Sequence, residues 1–78
     1  MRIVAMEVDS EELEKILTEE CGVSSAGLGG LDIKPLNGVN TYEEGGKDLY
    51  LFSFMMFEFV EEKLRSALTA KGKTMKTF

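Results

Sequence analysis

The chain has 78 residues, 44% of them hydrophobic, and a net charge of −5. That is enough apolar material for one small packed domain, and too much for wholesale disorder. The acidic balance argues against a general affinity for nucleic acid, which needs a positive field.

Residue types narrow the chemistry further. There is no His, which removes His-dependent acid–base catalysis, the serine and cysteine triads and most zinc sites. The single cysteine, Cys21, has no intramolecular partner, so a reducing cytoplasm is the expected compartment. No apolar run reaches the ~18 residues of a membrane helix. The expectation is therefore a cytoplasmic protein with no catalytic residues, no metal and no cofactor.

In chain order, Arg2 to Val8 reads as a strand with a short apolar run. Asp9 with Glu12 has the form of a capping box, and Glu11, Glu12 and Glu14 suit a helix N-terminus. Leu13, Ile16, Leu17 and Cys21 make one apolar stripe, and Gly22 is a stop. Residues 23–30, with Gly27, Gly29 and Gly30, read as a small-residue loop. These glycines match neither the phosphate loop nor the dinucleotide fingerprint.

Leu31 to Leu36 reads as a second strand, placed at an edge because Pro35 cannot donate a ladder hydrogen bond. Residues 37–48 are turn-rich, with Asn37-Gly38 and Gly45-Gly46 as breakers and a short irregular excursion around Val39 to Tyr42. Leu49 to Phe57 is the strongest strand signal. Glu58 to Ala70 follows as a helix with Val60, Leu64, Ala67 and Leu68 on one stripe, and Lys73 to Phe78 as a last short strand. The order βαββαβ predicts an α+β domain with a ferredoxin-like arrangement. This is a four-stranded antiparallel sheet with two helices on one face.

That architecture makes the third strand informative. Leu49, Leu51, Ser53, Met55 and Phe57 alternate with Tyr50, Phe52, Phe54 and Met56, so both of its faces are apolar. Two helices cover only one. Placing Val4, Met6, Val8, Leu49, Leu51 and Met55 under the helices leaves Ile3, Ala5, Tyr50, Phe52, Phe54 and Met56 on the open face. An aromatic patch of that size is usually occupied, by a partner or by the middle loop folding over it. Glu11, Glu12, Glu14 and Glu19 add an acidic contact surface suited to a basic target.

The expected function is an acidic protein-interaction module: a homodimer, or an inhibitor or adaptor docking its sheet face and acidic helix on a partner protein. A phage-type inhibitor that imitates phosphates towards a nucleic-acid-handling enzyme is the sharper version. The alternative is a regulatory domain that binds a small molecule between the glycine-rich loop and a subunit interface. A third reading rests on Lys47-Asp48-Leu49-Tyr50-Leu51-Phe52-Ser53-Phe54, which resembles the third strand of the RNA-recognition motif in its Lys and alternating aromatics. The family's glycine is missing there, and the first strand has no aromatic.

Overall fold

A computed structural model describes residues 2–36, 42–55 and 57–78. Its elements are β1 (Arg2–Met6), α1 (Ser10–Glu19), α2 (Ser25–Leu31), β2 (Lys34–Pro35), β3 (Tyr42–Glu44), β4 (Lys47–Phe54), α3 (Glu58–Ala70) and β5 (Met75–Thr77). They form an α+β structure with a five-stranded antiparallel sheet in the order β2-β4-β1-β5, β3 pairing additionally with β4. The strand with Pro35 and the strand with Lys76 lie at the two ends of that order.

Two elements depart from the expected βαββαβ order. The first is α2, where a glycine-rich loop was expected. Ser24 caps it by accepting the Gly27 N–H at 3.0 Å. Three glycines oppose a helix, but Leu31 at its end is buried and Leu28 packs against the core. Apolar burial outweighs the unfavourable propensity of this short segment. Leu31 thereby belongs to the helix rather than to the second strand. Asp32, left-handed at φ 48°, turns the chain, and only Lys34 and Pro35 join the sheet.

The second is β3. Glu44 pairs with Lys47 around Gly45 and Gly46, whose φ values of 60° and 80° close a two-residue turn that L side chains rarely accept. The turn-rich segment therefore includes a hairpin arm, while residues 37–41 lie outside those described.

α1 and α3 match their sequence signals. The Asp9 carboxylate accepts the Glu12 N–H at 2.9 Å, and Leu13, Ile16 and Leu17 face inward. Val60, Leu64, Ala67 and Leu68 do the same from α3. With Val4, Met6, Val8, Leu31 and Cys21 they build one core on one face of the sheet.

The register of β1 on β4 corrects the face assignment. Val4 lies opposite Phe52, and Arg2 opposite Phe54. Residues directly opposite share a face. Phe52 and Phe54 therefore point towards the helices, and they are 1% and 0% exposed. Leu49, Leu51 and Ser53 take the face away from the helices, where Ile3 and Ala5 also lie, opposite Ser53 and Leu51, and Met55 continues the same alternation just past the end of β4. The β1 phase was legible and the β4 phase was not. β4 is apolar on both faces, so its two-residue period does not say which face turns inward. Two phenylalanines fill the space beneath the helices, and the face carrying Ser53 turns away.

Candidate functional site

The sheet face away from the helices is the candidate site. Its side chains come from β1, β4 and the C-terminal end of β5. The Phe78 N–H donates to the Ile3 carbonyl at 3.0 Å, which continues the β5–β1 ladder by one residue. Ile3, Met55 and Phe78 are 42%, 45% and 58% exposed. Ile3 lies opposite Ser53, two residues from Met55 on the same face. These three make an accessible apolar row at one end of the face.

Towards the other end the face changes character. Ala5 and Leu49 are buried, although neither belongs to the core cluster beneath the helices. Charged groups surround them. The Lys76 ammonium pairs with Glu44, and Lys47 pairs with Glu7 at 3.3 Å. The Glu7 carboxylate also accepts the Thr74 N–H at 2.6 Å. That hydrogen bond, assisted by Lys47, holds Glu7 below the usual carboxylate range.

The expected contact residues are thus separated. Ile3 is on the face and exposed. Ala5 is on the face but buried. Tyr50 is 43% exposed, yet it lies opposite Met6, on the side of the helices. Phe52 and Phe54 are core, so the aromatics that carried the likeness to the RNA-recognition motif do not lie on an open sheet surface. Met56 lies outside the described residues.

Glu11, Glu12, Glu14 and Glu19 are all exposed and form no ion pair among the described residues. The neighbouring Glu20 pairs with Lys71 at 2.8 Å and holds its ammonium above the usual lysine range. α1 packs against one side of the sheet, so these acids and the apolar row occupy opposite sides of the molecule. One flat interface does not include both.

Sequence reasoning missed a second exposed apolar feature. Phe57 and Phe59 flank the start of α3 with ring centroids 6.1 Å apart and planes inclined by 16°, and they are 54% and 61% exposed. The signal for Phe59 was present, because it falls outside the stripe of Val60, Leu64 and Leu68. Phe57 was hidden by the reading that extended the strand through it.

An open groove of about 420 Å³ lies between Ser10 and Glu14 of α1 and Gly29, Asp32 and Pro35. Among the described residues, no three of His, Cys, Asp or Glu are grouped to hold a metal ion. Burial pushes the pKa of the Cys21 thiol up. No described helix is long and apolar enough to cross a membrane. Comparison of the chain with protein-family models, with curated proteins and with solved structures returns no match.

Proposed function

We propose that the chain is a non-catalytic interaction module that binds a basic partner protein through the sheet face away from the helices. The observation that carries this reading is the exposed row of Ile3, Met55 and Phe78 on that face. Large apolar side chains grouped on one surface lose least when another protein covers them.

Charge argues for the partner's chemistry. Arg2, Lys34, Lys47, Arg65, Lys71 and Lys76, six of nine basic residues, are engaged in ion pairs within the chain. The net charge of −5 is thus expressed mainly as unpaired carboxylates, among them those of α1. Two copies repel each other, and a basic partner is drawn in. The α1 acids act at a distance, by steering, since they do not share the apolar face.

The test is affinity capture with the wild-type chain and with an Ile3→Ser/Met55→Ser/Phe78→Ser variant whose circular dichroism is unchanged. The expected result is a basic protein, identified by mass spectrometry, retained by the first and lost by the second. Equal retention by both would rule the face out. A light-scattering mass of two chains for the wild type and one for the variant would replace the basic partner by a second copy.

The groove beside the glycine-rich α2 favours a second reading, a regulatory domain that senses a small ligand. Ligand-induced thermal stabilisation that is lost on Gly29→Leu, with the sheet-face variant unaffected, would favour that reading.

A further inference from the structure

The two ends of the candidate face differ in a way that its sequence does not explain. Ile3 and Met55 are exposed, whereas Ala5 and Leu49, on the same face and outside the core cluster beneath the helices, are buried. Something on that side covers them. β3 pairs only with β4, and β5 only with β1, among the described residues. Yet Glu44 of β3 meets Lys76 of β5, so this contact passes over β1.

The register shows where it passes. Lys76 lies opposite Ala5, and Glu44 lies opposite Lys47, two residues from Leu49. All of these side chains project from the face that carries Ala5 and Leu49. The second pair, Lys47 with Glu7, ties the same hairpin to the end of β1. Lysine stems are apolar along their length and lie readily over apolar neighbours while the ammonium reaches its acid. The Lys76 ammonium also stands 5.5 Å over the Phe78 ring, so two ion pairs project from the face that carries the two buried apolar side chains.

We propose that the end of the β3–β4 hairpin is a strap across this face. Its pairs to Lys76 and Glu7 hold it, and its release uncovers Ala5 and Leu49 as a continuation of the exposed row. The inference rests on the reading of this face as the docking surface. It adds that the part of the surface around Ala5 and Leu49 is withheld until the strap is displaced. Both pairs keep contact with solvent, Lys47–Glu7 as an exposed pair and Lys76–Glu44 as a part-buried one, and such pairs are weak enough for displacement, each shifting an opening equilibrium about two- to fivefold.

The test uses thiol reporters on the full chain. Ala5→Cys in a Cys21→Ala background places a thiol beneath the strap, and Leu49→Cys in the same background is the second reporter. Modification by iodoacetamide, a neutral reagent, reads the opening. Glu44→Gln should raise the rate at either reporter about two- to fivefold, and the exchanged pair Glu44→Lys/Lys76→Glu should bring it back. Cys21 in the otherwise native chain is the control, since it lies in the core beneath the helices.

Unchanged reporter rates in Glu44→Gln overturn the strap. So does an equal rise at Cys21, which marks loss of the whole fold rather than local opening. A strap that opens as expected in a chain whose triple variant still captures the same partner separates the two ideas. The strap then stands, and the docking face does not.

Discussion

Two pairs of phenylalanines stand within eight residues of each other, each pair with one residue between its members. Phe52 and Phe54 are buried, and Phe57 and Phe59 are more than half exposed. The first pair lies in a strand, where alternate side chains share a face, and that face meets three helices. The second pair straddles the start of α3, where Phe57 is still extended and Phe59 has entered the helix off its buried stripe. Identical residue types at identical spacing thus have opposite fates. Local geometry decides which way each ring points, and packing decides whether anything waits there.

Phe52→Ala empties a fully buried site and should cost ~3–5 kcal/mol by urea unfolding, a large part of what a small domain holds. Phe59→Ala should stay within ~0.5 kcal/mol of wild type, as exposed positions do. Leu51→Ala, half-buried on the opposite face of β4, should fall between them. Comparable losses at 51 and 52 would mean that the two sheet faces are packed alike.

The three helix starts differ in their capping. α1 is capped by Asp9 and α2 by Ser24, whereas Phe57 at the start of α3 offers no side-chain acceptor. Asp9→Ala should cost ~1 kcal/mol, and Phe57→Ser should gain up to ~1 kcal/mol by supplying the missing acceptor. A loss of stability in Phe57→Ser would show that the stacked rings contribute more than a cap. A residue that holds stability below what the site allows is what an exposed binding position looks like.

The smallest effect concerns acid. Glu7 has a lowered carboxyl pKa through the Thr74 N–H and Lys47. Its contribution is present above the unfolded-state value near 4.5 and is lost as pH falls through the lower folded value. Wild type should therefore lose stability below about pH 4.5 more steeply than Glu7→Gln. Parallel unfolding curves for the two proteins between pH 5 and 3 would remove Glu7 from the acid response.

Much of the fold was legible in the residues. Asp9 with Glu12 announced α1, and the stripe of Val60, Leu64, Ala67 and Leu68 announced α3. The run from Leu49 announced the long strand. The strand with Pro35 was expected at an edge and lies at one end of the strand order. These features are local: a cap, a period or a missing N–H acts within a few residues and needs no knowledge of the rest of the chain.

Three other features were decided by tertiary structure. α2 forms against the propensity of its glycines because Leu31 finds a place in the core. The face of β4 was undetermined because Leu49, Leu51 and Met55 are as apolar as Tyr50, Phe52 and Phe54. Only pairing with β1, with Val4 opposite Phe52, chooses between them. The Glu44–Lys76 pair joins residues that lie 32 apart in the chain. Periodicity ranks the faces of one segment by polarity. Where both faces are apolar that ranking vanishes, and the choice passes to the elements that pack against them.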